Sequence, residues 1–283
     1  MDTHQNEKFF NTFGLDINDQ HTVEFVVAAC NAVGKLRTNN KSKQSPITAF
    51  RDFIEAWGAY SDLPQATKKR CEKFYLIFCE EWEDVARALV NSFLSQSCSV
   101  KKGDVREYDN LCITCMEIIE ALAYTDGKIP DAAKLYEAAL ELAENKTNNN
   151  HAGIALLYIL CARIWSWCLR KTPEGDEFLL RKGYKNHMEA SCSDSIIYHT
   201  EMYAYHISAA IISLVLHKGG ETSDPESRDM IAESYRMLCR FKSPKTDFLR
   251  NQIYTYSGLH ADDVIDLNKM SESDFFTKKR FVN

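Results

Sequence analysis

Apolar residues recur along this chain at intervals of three and four, with polar residues between them, the pattern of a helix that buries one stripe and wets the other. Divided at its turn residues, this pattern predicts helices over about 4–13, 19–36, 46–60, 64–97, 104–125, 130–145, 151–171, 175–190, 194–217, 225–241 and 244–257, with a weaker one near 262–270. Three starts carry a capping side chain followed by proline, at Ser45-Pro46, Asp224-Pro225 and Ser243-Pro244. Proline suits the first helical turn because its fixed φ is already helical and its missing N–H would have had no partner there. Short polar segments separate the helices: Thr38–Gln44, Asn145–Asn150, Thr172–Gly175, Ser191–Asp194 and Lys218–Ser223. The segment 64–97 is long for one helix and is expected to bend or break near Glu80-Glu81-Trp82-Glu83-Asp84. No alternating apolar and polar run bounded by turns appears, so no sheet is expected.

Short loops make successive helices antiparallel neighbours. The expected fold is all-α: stacked antiparallel helical hairpins forming an irregular, tetratricopeptide-like αα superhelix, or else a multi-helix bundle. The hairpins pair 130–145 with 151–171 and 175–190 with 194–217. A single helical domain over 1–283 is expected, divisible into N-terminal helices 1–100, a hairpin array 101–270 and a tail 271–283.

Two local resemblances fit this organisation. The run Ala132-Ala-Lys-Leu-Tyr-Glu-Ala-Ala-Leu-Glu-Leu-Ala143 resembles one helix of a tetratricopeptide-type repeat, in which small residues admit a neighbouring helix. The stretch from Glu117 through Glu120, Asp126 and Gly127 to Asp131 is similar to the helix, Asp-Gly turn, helix signature of TerB-like domains. That resemblance implies a metal held by Asp126 and Glu120. Each covers a small part of the chain, and neither is carried forward as a family assignment.

Composition narrows the function classes. With 45% hydrophobic residues, 11 Gly and 6 Pro in 283, the chain is globular and poor in turn formers. Its 34 basic and 40 acidic residues are interspersed, and the net charge of -6 offers no basic face for nucleic acid. The polar N-terminus lacks a secretory pattern, and Ile154–Leu169, interrupted by Arg163 and Ser166, reads as a buried helix and not a membrane span. A soluble cytoplasmic protein is expected, with its ten cysteines reduced and packed as small hydrophobes.

Four groups of residues are candidates for chemistry. His199, Tyr203 and His206 recur at i, i+4 and i+7 within a predicted helix that also carries Tyr198, a spacing that lines one face with acid–base and hydrogen-bonding groups. Arg163 interrupts an apolar run, and a buried guanidinium needs a carboxylate such as Glu120, Glu137 or Glu201, several carbonyls, or an anionic ligand. Asp262, Asp263 and Asp266 spell an Asp-Asp-x-x-Asp pattern like that with which helical isoprenoid synthases hold magnesium, and Glu80–Asp84 form a second acidic cluster. Cys112 and Cys115 share a helical face, without the second pair a zinc site needs. Phosphate loops, nucleophile elbows and dinucleotide fingerprints are absent from the sequence.

The expected function is therefore a non-catalytic interaction or adaptor protein that binds a protein or peptide through a groove or exposed face, with no cofactor or metal. The expected contact residues are Tyr198, His199, Tyr203, His206 and Arg163, since aromatic and Arg side chains dominate interface energetics. The alternatives are a magnesium-dependent helical enzyme acting on a phosphorylated or isoprenoid substrate, and a small-ligand sensor.

Overall fold

The computed structural model describes residues 10–12, 14–42, 56, 59–60, 63–101, 106–124, 129–145, 148–190, 195–217 and 225–257. Every regular element among them is helical. The helices are α1 (Gln20–Ser42), α2 (Gln65–Lys101), α3 (Arg106–Tyr124), α4 (Ala132–Ala143), α5 (His151–Arg163), α6 (Pro173–Ala190), α7 (Glu201–His217), α8 (Pro225–Leu238) and α9 (Pro244–Ser257). The predicted helix near 262–270 and the three aspartates 262, 263 and 266 lie outside the described residues, as do Asp126 and most of the predicted helices 4–13 and 46–60.

Contacts divide the chain into two compact units, Met1–Ser95 with Glu120–Asp131, and Gln96–Ile119 with Ala132–Asn283. In the first, Asp19 caps α1, accepting from the His21 N–H at 3.3 Å and from the Thr22 hydroxyl at 2.7 Å. Its core gathers Phe25, Leu89, Phe93 and Leu122, with the Phe25 ring 5.1 Å from that of Tyr60. The expected break in the long helix does not occur: α2 runs unbroken through Glu80–Asp84. That segment contains neither Gly nor Pro, the residues that most readily break or kink a helix.

The second unit is built of hairpins. Asn150 caps α5, its side-chain oxygen accepting from the Gly153 N–H at 3.0 Å. Twelve of the thirteen residues of α5 are buried, so this helix is the centre of the unit. The apolar stretch His151–Cys168 is long enough to cross a membrane, but 72% of it is covered by neighbouring helices. Two glycines allow those neighbours in. A methyl group on Gly153 would fall 2.2 Å from the Tyr108 ring of α3, and one on Gly183 of α6 would meet the Ala155 carbonyl at 3.3 Å.

The predicted helix 151–171 stops being regular earlier than expected. After Arg163 the backbone widens over Ile164–Cys168, where the Leu169 N–H reaches back five residues to the Ile164 carbonyl at 3.0 Å. The widened turn swings Trp165 over Gly175, and its indole N–H donates to the Thr172 carbonyl at 3.0 Å, tying α5 to α6.

Pairings along the helices give their directions. His151 at the start of α5 meets Asn186 (3.3 Å) and Glu189 (3.2 Å) near the end of α6, so the two are antiparallel. His217 at the end of α7 meets Asp176 at the start of α6, and Tyr203 at the start of α7 meets His187 at the end of α6. Adjacent helices pack pairwise from α4 through α9, and α7 also touches α5 and α9, the next helices but one on either side. This is the expected arrangement of short-looped antiparallel helices, common to helical bundles and helical repeats.

Candidate functional site

The predicted helix 194–217 is broken, and the break decides where the histidine and tyrosine side chains go. Ile197–His199 form one tight 3₁₀ turn, Thr200 is extended (φ −90°, ψ 148°), and α7 begins anew at Glu201. The Thr200 hydroxyl accepts from the Tyr203 N–H at 3.2 Å, a standard helix cap. Tyr203 and His206 thus share α7, while His199 belongs to the turn before it. The i, i+4, i+7 stripe read from the sequence is not continuous, because helical spacing aligns residues only within one uninterrupted helix.

Tyr203 enters a buried polar chain that the sequence did not announce. Tyr203 and His187 are each 0% exposed, with the Tyr203 hydroxyl 3.0 Å from His187 Nδ1. On its other side, His187 Nε2 lies 3.4 Å from Glu233 Oε1, an electrostatic contact longer than a well-formed hydrogen bond. Glu233 is in turn held by Arg236 at 2.9 Å. The partners assign the tautomer: Tyr203 donates to Nδ1, and Nε2–H faces the carboxylate. Tyr198 stacks on the imidazole, with centroids 5.7 Å apart and planes 16° from parallel. The contact with His187 is the largest influence holding the Glu233 carboxyl below its ordinary range, and burial pushes the Tyr203 hydroxyl well above its own. Within this chain His187 Nε2 is buried without a well-formed hydrogen bond.

His199 sits outside this chain. It is exposed, its Nδ1 3.0 Å from the Arg240 guanidinium, which also lies over the Tyr198 ring at 5.4 Å.

Arg163 and His206 lie elsewhere, along the edge where α7 meets α5 and α9. The Arg163 side chain, 9% exposed, does not meet Glu120, Glu137 or Glu201. Its Nη2 donates to the Ser213 hydroxyl at 3.0 Å and approaches the Ala209 carbonyl at 3.5 Å, and its guanidinium rides 5.2 Å over the Trp167 ring. Among the described residues no carboxylate comes within ion-pair distance of it. The nearest acidic influence is Asp176, which instead pairs with His217 at 2.8 Å. Burial pulls the guanidinium below its ordinary value, with Asp176 and Tyr205 opposing. His206, 5% exposed, has no hydrogen-bond partner among the described residues, and burial, reinforced by Lys245 and Arg163, lowers its imidazole to about 3.

Around these groups one side of α7 is incompletely covered. Met202, Tyr205, Ala209 and Ser213 are half-buried and Leu216 is exposed, a series at spacings of three and four that follows one face of the helix. Neighbouring positions such as Tyr203, Ala204, Ile207, Ile211 and Leu214 are buried. Arg163 and the half-buried Trp167 flank this stripe from the α5 side. Lys245 of α9 flanks it from the other, its ammonium 5.8 Å from the Tyr205 ring centre, with Phe248 exposed one turn further on.

The remaining candidates are placed as follows. Cys112 and Cys115 are free and buried, Cys115 Sγ lying 3.4 Å from the Leu156 carbonyl, and burial raises both thiols far above their ordinary value. Glu83 of the acidic cluster on α2 is exposed. Among the described residues no three His, Cys, Asp or Glu side chains converge as a metal site would require. No protein-family model matches the chain, and neither the curated proteins nor the solved structures provide a match, leaving the chemistry of the site itself as the guide to function.

Proposed function

We propose that this chain is a non-catalytic helical interaction protein, an adaptor that binds a protein or peptide segment along the uncovered stripe of α7. One observation carries the reading: the stripe Met202–Tyr205–Ala209–Ser213–Leu216, apolar and aromatic apart from Ser213, is incompletely covered between α5 and α9 and is bordered by Arg163, Trp167, Lys245 and Phe248. Trp, Tyr, Phe and Arg around a half-buried apolar strip are the composition of an interface core, and an extended or helical segment laid on such a strip buries side chains at every third or fourth position. The inward-facing polar groups Tyr203, His187 and Glu233 support this by fixing α6, α7 and α8 against each other, which pre-organises the surface. The reading places the protein in the cytoplasm, where thiols such as Cys30 and Cys98, exposed and free, stay reduced.

The test compares proteins captured from a native lysate by the full chain, by its Leu216→Glu and Phe248→Glu variants, and by Phe178→Glu. Phe178 is also exposed but lies about 200° around α6 from Asp176, which faces α7. The reading expects the same partners with wild type and Phe178→Glu, and their loss with both stripe variants. Equal capture by all four proteins would count against this face.

A further inference from the structure

The turn between α8 and α9 gathers positive charge. From Arg236 to Lys245 the chain has four basic residues and no acidic one, in a protein whose net charge is -6. Arg236 pairs with Glu233 at 2.9 Å, and the Lys245 ammonium lies 5.8 Å from the Tyr205 ring centre. Arg240 and Lys242 are exposed, and among the described residues neither has a carboxylate within ion-pair distance. The acids of the adjoining helices face other groups, Glu233 meeting Arg236 and His187, and Glu201 accepting from the Ser243 hydroxyl. Arg240 is nonetheless held in place. Its guanidinium lies 5.4 Å over the Tyr198 ring and 5.6 Å over that of Phe241, and Nη2 donates to His199 Nδ1 at 3.0 Å. Tyr198 is itself stacked on the fully buried His187, which fixes the surface beneath the guanidinium. Beside this group Ile196 is 73% exposed, more than any other large apolar side chain among the described residues. Ile196 opens the 3₁₀ turn that carries His199, and in such a turn residues three apart eclipse, so Ile196 and the imidazole that holds Arg240 share one face.

We propose that this corner docks an acidic peptide segment of a partner protein, with one carboxylate on Arg240, a second drawn by Lys242, and an apolar side chain against Ile196. Charge complementarity selects the acidic class: two exposed cations without carboxylate partners attract it, and the guanidinium N–H groups that His199 leaves unused suit the two oxygens of a carboxylate. Stacking on two rings and the bond to His199 restrict Arg240 before anything binds, so less side-chain freedom is lost on docking. Nucleic acid fits less well. The chain as a whole is acidic, Glu201 and Glu233 adjoin the corner, and a phosphate backbone has no apolar group to set on Ile196. The corner lies by the start of α7, whereas Leu216 of the stripe lies at that helix's other end, and the proposal does not rest on the reading of the stripe.

The experiment follows the fluorescence anisotropy of a labelled peptide of alternating glutamate and leucine titrated with the full-length protein. Two further probes are the same peptide with serine in place of leucine and an oligothymidylate of equal charge. Saturable binding of the leucine peptide is expected, weakened about tenfold in Arg240→Ala, as for a central interface arginine, and roughly threefold in Lys242→Ala, as for one screened exposed charge. Arg240→Lys should lose most of what Arg240→Ala loses, because an ammonium neither stacks on two rings nor grips both carboxylate oxygens. The serine peptide should bind more weakly than the leucine peptide, and Ile196→Ser should narrow that difference. Each substituted residue is exposed, so these variants keep the fold. Absence of saturable binding, Arg240→Ala or Arg240→Lys binding as tightly as wild type, equal affinity for the leucine and serine peptides, or tighter binding of the oligothymidylate would each overturn the proposal. Leu216→Glu should leave the peptide affinity unchanged, and its loss there would place the acidic segment on the α7 stripe and remove the corner site.

Discussion

Replacing Tyr203 by Phe isolates the buried Tyr203–His187 contact. The ring stays, so its burial at 0% exposure and its packing against Tyr198, 5.5 Å between centroids, are retained and no cavity forms. What disappears is the hydroxyl 3.0 Å from His187 Nδ1, inside a region where that nitrogen cannot turn to water because His187 is itself fully buried. A buried acceptor left without its donor costs about 1–3 kcal/mol, more than the ~1 kcal/mol a typical hydrogen bond contributes net. For a chain of 283 residues that corresponds to a fall in melting temperature of roughly 2–5 °C. Circular dichroism melts and guanidinium titrations of wild type and Tyr203→Phe would measure it. His187→Leu and the double variant close the cycle, and a coupling of about 0.5 kcal/mol or more is expected for groups in direct contact. A Tyr203→Phe protein as stable as wild type, or costs that simply add, would show that the pair holds nothing together.

Other outcomes follow from single contacts. Gly153→Ala should destabilise by about 1–3 kcal/mol, because the new methyl meets the Tyr108 ring in a packed interface, and Tyr108→Leu should recover part of that loss in thermal melts. His206 binds its proton more weakly folded, at about 3, than unfolded, at its ordinary 6.5, so its contribution to stability is whole above pH 6.5 and falls as the pH drops toward 3. In His206→Leu the stability profile over that window should flatten by up to about 1.4 kcal/mol per pH unit, and a slope identical to wild type would contradict the assignment. A thiol reagent applied to the native protein should modify Cys30 and Cys98 before Cys112, Cys115 and Cys161, which are buried and whose thiols burial keeps protonated; simultaneous labelling by mass spectrometry would exclude the packing described.

Helix existence was legible because amphipathic period and capping residues are local properties. Pro225 and Pro244 mark helix starts that the structure keeps. Breaks were harder. Thr200-Glu201 carries the polar cap and first-turn acid of a helix start, yet it follows a run so apolar and aromatic that periodicity alone carries the helix across it. The widened turn at Ile164–Cys168 has no proline or glycine to betray it, and arises where Trp165 settles over Gly175 of the following helix. Arg163 stood out as a charge inside an apolar run, but not its partners: Ser213 and the Ala209 carbonyl come from α7, fifty and forty-six residues away. His187 and Glu233 escaped notice for the opposite reason. Each sits among charged neighbours on α6 and α8 that read as solvated faces, and only tertiary packing turns these two inward.

Hydroxyl-radical footprinting of the native chain, read residue by residue, tests most directly whether α7 presents an open stripe to a partner. Met202, Tyr205, Leu216 and Phe248 should be oxidised at rates set by their exposure, while Tyr203, two residues from Tyr205, stays protected until the protein unfolds. Protection of Met202, Tyr205 and Leu216 in the partner-free protein, or equal oxidation of Tyr203 and Tyr205, would mean that this face is already covered or α7 is turned the other way.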